Sequence, residues 1–409
     1  MTAATRHLEI DTVRGFAVLG ILLMNITGMG LPSGAYLSPA YYGGDTGADL
    51  VAWIAAFLLV DGKMRALFTP LFGASLLLIA DGRAAQVPGP VATHYRRTFW
   101  LFVIGMVHAW LIWFGDILVT YALAGSLAFL FRNRSPKALI IIGAVILALL
   151  AAYDLTSYGY LDGLRAAATA PGADAATVSA WREIAIELVP DPDNAPKEIA
   201  LYRGGFADVF AARMPMTLFF QTFLIPTVFF WEALGTMLIG MGLFRTGFFT
   251  GGWSERHYRA MLWLLPIGVL LTLPVARLLL ESRWDGVLAL ATDAAGLPLH
   301  LGMALGYASA VVLLTRAAFA ARLVERLAAC GQMALSNYLG ASILTTTLFY
   351  GYGFGRFAHY GRAELYGVVV AIWFIQMFAS PLWLARFRYG PAEWLWRSLV
   401  RMEAQPMLR

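Results

Sequence analysis

The sequence of 409 residues is 59% hydrophobic and only 13% charged, which excludes an ordinary soluble domain. Its net charge of +5 comes from basic residues that lie in short clusters between apolar runs. A nucleic-acid-binding surface needs a continuous basic stripe, so we expect no nucleic-acid partner. Cys330 is the only cysteine, which excludes an intrachain disulfide and a cysteine-based metal cluster. No metal site is predicted.

The apolar runs are long enough to cross a bilayer. A helix rises about 1.5 Å per residue and the hydrocarbon layer is about 30 Å thick, so one span takes about 20 apolar residues. The sequence therefore predicts an all-α, polytopic transmembrane helical bundle. About ten spans are expected, at residues 13–30, 50–80, 98–114, 117–131, 138–153, 215–244, 260–280, 286–314, 327–349 and 363–384. We expect the first span to be retained rather than cleaved as a signal peptide, because it contains Asn25 and many spans follow it.

Basic residues predict the orientation of the bundle, because Lys and Arg in short loops are retained in the cytoplasm. They fall in alternate loops along the chain. The clusters placed inside are Arg83, Arg96 and Arg97; Arg132, Arg134 and Lys137; Arg245, Arg256 and Arg259; Arg316, Arg322 and Arg326; and Arg386, Arg388, Arg397 and Arg401. Both termini are thus predicted to be cytoplasmic, with segments 31–49 and 154–213 on the outer side.

Two spans depart from a simple crossing. The second is interrupted by Asp61-Gly62-Lys63-Met64-Arg65, whose charges are costly in lipid, so we expect a short surface or re-entrant helix near 50–60 before a span that starts at 64. The fourth has only about 15 residues.

The only sizeable piece outside the spans is 154–213, which is too small for an independent enzyme domain and predicts short helices, one near 175–189. The predicted organisation is therefore an N-terminal membrane half at 1–153, an extracytoplasmic helical loop at 154–213 and a C-terminal membrane half at 214–409.

Five polar side chains lie near the middle of separate predicted spans: His108, Glu232, His300, Asn337 and Gln376. A polar side chain in hydrocarbon normally faces a cavity or a partner within the bundle, so their similar depth predicts one shared polar cavity. The alternative is that the histidines and amides only join neighbouring helices through hydrogen bonds. A buried carboxylate must be protonated, paired or hydrated.

Charged residues at the ends of spans supply further candidates. Asp11 is predicted to cap the first helix, and Arg14 is placed at the cytoplasmic mouth, where it either snorkels or binds phosphates of a nucleotide-bearing substrate. Asp116 lies between the third and fourth spans and either caps a helix or handles a proton. His108 and Asp116 are eight residues apart, about 12 Å of helical rise, which predicts that they do not pair directly.

Short motifs in a common order resemble a known family. They are Asp11-Thr12-Val13-Arg14-Gly15-Phe16-Ala17 with Asn25, Asp61-Gly62-Lys63 with Leu71-Phe72-Gly73, His108 with Gly115-Asp116-Ile117-Leu118 and Tyr121, Gly331-Gln332-Met333-Ala334-Leu335-Ser336-Asn337-Tyr338, Phe349-Tyr350-Gly351-Tyr352-Gly353, and Gly390-Pro391-Ala392-Glu393-Trp394-Leu395-Trp396-Arg397. Together they resemble the YeiB-like family of bacterial inner-membrane proteins. Asp61 stands where glutamate is usual, and Ala392 where leucine is usual. The resemblance implies a multi-pass protein of the bacterial cytoplasmic (inner) membrane.

The N-terminal half is similar to transmembrane acyltransferases typified by heparan-alpha-glucosaminide acetyltransferase. Those enzymes move an acetyl group from cytoplasmic acetyl-CoA to a sugar amine across the membrane, which implies an acyl-CoA donor here. The histidine implicated in that enzyme lies beyond the first helix. The corresponding loop 31–49 has Tyr36, Tyr41 and Tyr42 and no histidine, so His108 or His300 would have to take that role.

The leading hypothesis is a membrane acyltransferase that moves an acyl group from a cytoplasmic acyl-CoA-type donor to an outer hydroxyl or amine through a midplane cavity. Acyl transfer needs a base and oxyanion donors, and His108 is the candidate base. The assigned residues are His108, Glu232, Asp116 and His300 for catalysis and Asp11, Arg14, Asn25 and Asn337 for substrate binding. The alternative is a proton-coupled carrier without chemistry, built on Glu232, Asp293 and His300. The expected partners of the protein are membrane lipids and small molecules. Both a monomer and a homodimer are compatible with the sequence.

Overall fold

The computed structural model describes residues 7–81, 89–188 and 191–409, so Arg83 of the predicted cytoplasmic clusters lies outside the described residues. The described chain is helical, and its only β contact is one isolated bridge between Phe387 and Leu408. The helices are α1 (Leu8–Gly30), α2 (Gly34–Leu37), α3 (Gly47–Leu59), α4 (Lys63–Asp81), α5 (Pro90–Val107), α6 (Leu118–Ala128), α7 (Pro136–Thr169), α8 (Ala175–Leu188), α9 (Ala195–Tyr202), α10 (Phe206–Phe219), α11 (Phe230–Arg245), α12 (Glu255–Met261), α13 (Leu264–Glu281), α14 (Gly286–Thr315), α15 (Ala321–Gln332), α16 (Ala334–Phe349), α17 (Arg362–Arg386) and α18 (Pro391–Arg401). Two π-helical segments, His108–Ile112 and Phe220–Phe229, continue α5 and α10. The predicted all-α class is confirmed.

Six helices among the described residues are long and apolar enough to cross a membrane: Leu8–Gly30, Pro136–Thr169, Phe206–Arg245, Glu255–Glu281, Gly286–Thr315 and Arg362–Arg386. Leu118–Phe131 is apolar but shorter. The protein is therefore a multi-pass membrane protein. Helices occupy all the predicted spans, while the number of ten crossings and the cytoplasmic location of the termini stay predictions.

The second and ninth predicted spans are each divided into two helices. Gly62 separates α3 from α4 with a left-handed φ of 73°, and a Cβ there would lie 2.3 Å from the Nδ1 atom of His300. Only glycine allows both the backbone angle and this contact. The predicted interruption of the second span is thus confirmed. Met333 separates α15 from α16 in the ninth span.

Two long helices pass through the predicted domain boundaries. Helix α7 continues without interruption to Thr169, and α10, the second π-helical segment and α11 form one 40-residue stretch, Phe206–Arg245. Helix α8 confirms the helix predicted near 175–189. The segment between the membrane halves is thus joined to the bundle by continuous helices.

Glycines allow α11 to pack against two neighbouring helices at backbone distance. A Cβ at Gly143 of α7 would lie 2.4 Å from the carbonyl oxygen of Gly235, and one at Gly240 would lie 2.2 Å from that of Pro70 in α4. Helices in lipid gain little from hydrophobic burial against each other, so close van der Waals packing through small residues holds them together. Helix α11 therefore packs at close range against both α7 and α4.

The segment that we call the outer cap lies on the predicted outer side of the bundle and consists of residues 31–42, α9 with the following Arg203, and residues 350–361. The carboxylate of Glu198 accepts hydrogen bonds from the backbone N and Oγ of Ser33, at 2.9 and 3.2 Å. Burial raises the pKa of Glu198, while these two bonds act in the opposite direction. The Nε of Arg203 donates to the carbonyl of Phe357 at 2.9 Å. The three parts of the outer cap are thus tied to one another.

Gly240→Ala should lower the free energy of unfolding by about 1–3 kcal/mol, because the added methyl group overlaps the backbone of α4. The measurement is the thermal midpoint of the purified protein in detergent. Gly340→Ala is the matched control, since a Cβ at Gly340 of α16 meets nothing within 4 Å. Equal midpoints for the two variants would show that the close contact of α4 and α11 is unimportant.

Candidate functional site

A buried histidine–aspartate pair lies where α5 turns into α6. The first π-helical segment begins at His108, the chain reverses direction, and α6 begins at Leu118. The reversal brings Asp116 back against His108, with 2.8 Å between Nδ1 and Oδ2. The prediction that the two residues do not pair was wrong. It assumed the rise of an uninterrupted helix, whereas the helix ends between them.

The surroundings of the pair fix its orientation. The side chains of His108 and Asp116 are 0% and 2% exposed. Asp116 also accepts a hydrogen bond from the backbone N of Val119 at 2.8 Å, although the cap position of α6 belongs to Ile117. The Nε2 atom of His108 is buried and has no hydrogen-bond partner among the described residues. The imidazole is therefore held at one nitrogen and free at the other, which is the arrangement of an oriented general base.

A second charged pair joins α4 to α11. The guanidinium of Arg65 contacts both carboxylate oxygens of Glu232, with Nε–Oε1 at 3.2 Å and Nη2–Oε2 at 3.0 Å. Glu232 lies in the first turn of α11, directly after the second π-helical segment. The side chains are 30% and 10% exposed, so Arg65 is the more accessible partner. A buried carboxylate must be protonated, paired or hydrated, and Glu232 is paired.

His300 lies beside the break between α3 and α4. Its ring packs against Gly62, and together with Asp293 it lines a cavity of about 20 Å³, which is enough for one water molecule. Phe57 of α3 and Thr272 of α13 also line this cavity. His300 and Asp293 thus face the same small space, as their spacing on one helix predicts.

Polar side chains from several helices lie near Arg65. Asp293 interacts electrostatically with Asp61, Arg65 and Glu232, and Tyr36 lies within range of Asp61 and Arg65. Tyr36 is 44% exposed and Asp293 is also exposed. We expect these side chains to border a water-accessible space, which we call the outer cavity and define by Tyr36, Asp61, Arg65, Glu232 and Asp293.

Helical rise gives the depth of the outer cavity. Glu232 precedes the end of α11 at Arg245 by 13 residues, about 20 Å, and Arg65 precedes the end of α4 by 16 residues, about 24 Å. Those helix ends are on the predicted cytoplasmic side. The cavity therefore lies beyond the middle of a layer about 30 Å thick, toward the predicted outer side.

Sequence reasoning missed three buried cations near these sites. Lys63 is 1% exposed and donates to the carbonyl of Phe57 at 2.5 Å. Arg213 is also 1% exposed, and Arg362 is 5% exposed and donates to the carbonyl of Ala35. The signal for Lys63 was present, since Asp61-Gly62-Lys63-Met64-Arg65 puts charge inside an apolar run. That charge predicts a break in the span, and it also marks a buried cation.

Asn337 and Gln376 join helices and lie at none of the sites described above. The amide of Asn337 donates to the carbonyl of Cys330 and to Ser380, both at 3.1 Å, and Gln376 donates to the carbonyl of Asn337 at 2.8 Å. These bonds connect α15, α16 and α17. The five polar side chains of the spans thus occupy four places rather than one shared cavity.

The remaining predicted residues lie on α1. Asp11 is not the helix cap, because α1 begins at Leu8 and the cap position belongs to His7. Arg14 contacts Asp11 at 3.3 Å and Ser75 of α4 at 3.0 Å. Asn25 is partly buried. Substrate binding by these residues and by Asn337 stays a prediction.

Two of the C-terminal motifs contact each other. The carboxylate of Glu393 accepts hydrogen bonds from the backbone N atoms of Leu335 and Ser336, at 2.7 and 3.1 Å, and from the hydroxyl of Ser336 at 2.5 Å. Backbone N–H groups at a helix start lack partners within the helix, and a carboxylate satisfies them. This contact fastens α18 to the start of α16, so these motifs serve the fold.

Comparison with known proteins identifies the family. The family described as a protein of unknown function (DUF418) matches residues 243–403. The uncharacterised protein YeiB of Escherichia coli (strain K12) is 34% identical over 417 residues, which cover 98% of each chain. This chain belongs to the YeiB family. The uncharacterised protein YxaH of Bacillus subtilis (strain 168) is 29% identical over 98% of this chain and 95% of its own. No solved structure matches this YeiB-family protein.

Glu232→Gln should lower the free energy of unfolding of this YeiB-family protein by about 1–3 kcal/mol, because it leaves the guanidinium of Arg65 without its charged partner. Thermal unfolding in detergent measures the loss. The double variant Glu232→Gln/Arg65→Met should lose less free energy of unfolding than the sum of the losses in the two single variants, because the two residues form one coupled pair. Glu281→Gln, in the exposed pair with Arg277, is the control with little expected effect. Additive losses would contradict a coupled pair.

Cysteine labelling tests the outer cavity. In right-side-out spheroplasts, a membrane-impermeant maleimide should modify Tyr36→Cys and Asp293→Cys, because both positions are accessible on the predicted outer side. The natural Cys330 is 0% exposed and should give little background. Lys137→Cys, exposed in a predicted cytoplasmic cluster, should react only after lysis. If Asp293→Cys stays unmodified even after lysis, the outer cavity is closed to solvent.

Proposed function

We propose that this YeiB-family protein is a membrane acyltransferase, with an acyl-CoA-type thioester as donor and a hydroxyl or amine as acceptor. The observation that carries the proposal is the buried His108–Asp116 pair, in which Asp116 orients the ring and leaves Nε2 free. A structural histidine in a membrane normally uses its nitrogens to join helices, as Asn337 does here with its amide. An oriented imidazole with one free nitrogen instead fits proton transfer.

The proposed reaction is a direct transfer. Nε2 of His108 takes the proton of the acceptor N–H or O–H while the acceptor lone pair attacks the thioester carbonyl carbon. The electrons of the C=O π bond move to oxygen and form a tetrahedral intermediate. When that intermediate collapses, the C–S bond breaks and the leaving thiolate takes the proton from His108. Asp116 stabilises the imidazolium throughout and keeps the ring orientation.

Access to the two sides of the membrane follows from the positions of charged residues. Arg14 lies at the predicted cytoplasmic end of α1 with 22% of its side chain exposed, where it would meet donor phosphates. The outer cavity lies toward the other side and would admit the acceptor. Tyr121 of α6, the helix that follows Asp116, shares a hydrogen bond of 2.6 Å with Thr69, which lies one turn after Arg65 on α4. Because Nε2 is covered, substrates reach it only after a local movement of the first π-helical segment or Tyr338.

His108→Gln should lower transfer by about a thousandfold and Asp116→Asn by at least about a hundredfold, because the first removes the base and the second its orienting charge. The assay follows release of free CoA thiol from acetyl-CoA in proteoliposomes, with a mixture of hydroxyl and amine acceptors. His257→Gln is the control, since this exposed histidine bonds only to Ser254 in the same short segment and should leave the rate unchanged. Wild-type rates for His108→Gln would rule out the proposed base.

The outer cavity favours a second candidate, a proton-coupled carrier of a small solute. Arg65 of the Arg65–Glu232 pair is 30% exposed, and intramembrane ion pairs of this kind can exchange partners with a proton or solute. The same proteoliposomes distinguish the two functions when they are loaded with a pH-sensitive dye. Proton entry that depends on Glu232, together with no His108-dependent thiol release, would support the carrier and contradict the transferase.

A further inference from the structure

Arg213 reaches the histidine–aspartate pair from outside the segment that carries it. It lies on α10, is 1% exposed, and donates through Nη1 to the carbonyl of Ile112 and through Nη2 to that of Leu111 at 3.3 Å. Leu111 and Ile112 end the π-helical segment that begins with His108. The last carbonyls of a helix lack donors within it and carry partial negative charge. The guanidinium satisfies both carbonyls at once.

This use of a buried cation is costly. The described residues give Arg213 no ion pair with a carboxylate, and its third nitrogen, Nε, contacts only the carbonyl of Val209 in its own helix, at 3.4 Å. A buried charge that only neutral acceptors compensate is expensive in an apolar interior. A neutral donor such as glutamine could satisfy one carbonyl at lower cost. The planar guanidinium binds two carbonyls in a fixed geometry, which points to positional control of the segment.

Tyr338 holds the other side of the same chain reversal. Its hydroxyl accepts a hydrogen bond from the backbone N of Ile117 at 3.3 Å, and its ring centroid lies 5.0 Å from that of His108. The reversal between Ile112 and Ile117 is thus fixed at both ends, by Arg213 and by Tyr338. Asp116 lies between these two fixed points, and its distance to His108 depends on both.

Arg213 also contacts the outer cap. Its guanidinium lies 5.9 Å from the ring centroid of Tyr350, and that ring packs against Tyr202 of α9 at 4.9 Å. The backbone N of Gly351 donates to the carbonyl of Tyr202 at 2.8 Å. One side chain therefore contacts both the outer cap and the segment that carries His108. A displacement of the outer cap would withdraw the donor from Leu111 and Ile112.

We propose that Arg213 is a positioning residue that assembles the His108–Asp116 pair when the outer cap is docked against the bundle. This inference rests on the proposed acyl transfer and adds its regulation from the acceptor side. With Arg213 in place, the π-helical segment holds His108 against Asp116. When the outer cap moves, the two carbonyls lose their donor and the pair separates. Acyl transfer is then limited to molecules in which the outer cap is closed.

The test compares Arg213→Met and Arg213→Lys with the wild type and with the exposed control Arg277→Met. Arg213→Met should lower the maximal rate of thiol release from acetyl-CoA by about a hundredfold with little change in the half-saturating acetyl-CoA concentration, because misplacement of the base affects chemistry and not donor binding. Arg213→Lys should recover part of the rate. Arg277→Met should match the wild type, because its side chain is 80% exposed.

Nitrogen-15 NMR of histidine-labelled protein detects the hydrogen bond between His108 and Asp116 independently of catalysis. The wild type should show a hydrogen-bonded Nδ1–H of His108, assigned by its absence in His108→Gln, and Arg213→Met should lose it while its thermal midpoint stays within a few degrees. A wild-type signal and rate in Arg213→Met would overturn the proposal. If Arg213→Met does not fold, Arg213→Lys decides: an unchanged signal and rate in that variant contradict a fixed two-carbonyl geometry.

The two proposals fail in different ways. Loss of the His108 signal in Arg213→Met, with no His108-dependent thiol release in the wild type, would remove the acyltransferase and keep Arg213 as the residue that holds the pair. His108-dependent thiol release with an unaffected Arg213→Met would keep the acyltransferase and overturn the role of Arg213.

Discussion

The cost of charge in an apolar interior is the constraint on which this structure depends. Each of the three buried cations described above has a neighbouring acceptor: Lys63 the carbonyl of Phe57, Arg213 the carbonyls of Leu111 and Ile112, and Arg362 the carbonyl of Ala35. These partners come from helix ends and breaks, because the carbonyls inside a regular helix are already bonded. The charged residues and the irregular backbone therefore occur at the same places, and those places are the candidate sites.

The sequence predicts the helices well and the contacts poorly. Apolar runs locate the spans because every backbone group in lipid must be bonded within its own helix, and the break at Asp61-Gly62-Lys63 follows from charge alone. The pairing of His108 with Asp116 could not be predicted, because it depends on a chain reversal held by Arg213 and Tyr338, which are distant in sequence. The depth of a residue along its helix also does not predict its contacts. Asn337 has a suitable depth, but its direction places it between α15 and α17.

The motifs that resemble the YeiB family divide into two groups. Gly390-Pro391-Ala392-Glu393 and the start of α16 hold two helices together, and Gly62 provides the left-handed turn against which His300 packs. His108 and Asp116 have the free nitrogen and the orienting carboxylate that the proposed acyl transfer requires. Family membership alone does not separate these groups, because a structural glycine and a catalytic histidine both restrict substitution. The hydrogen-bond partners of these residues separate the two groups.

Phe114, two residues after the first π-helical segment at His108–Ile112, packs against Phe220, the first residue of the second segment at Phe220–Phe229, with ring centroids 5.5 Å apart. A π-helical turn holds one more residue than an α-helical turn. If the first segment became α-helical, the part of the helix before it would rotate by about 100° around the helix axis relative to the part after it. His108 begins the segment, so a change of one residue in its register would swing the imidazole from Asp116 toward a different neighbouring helix.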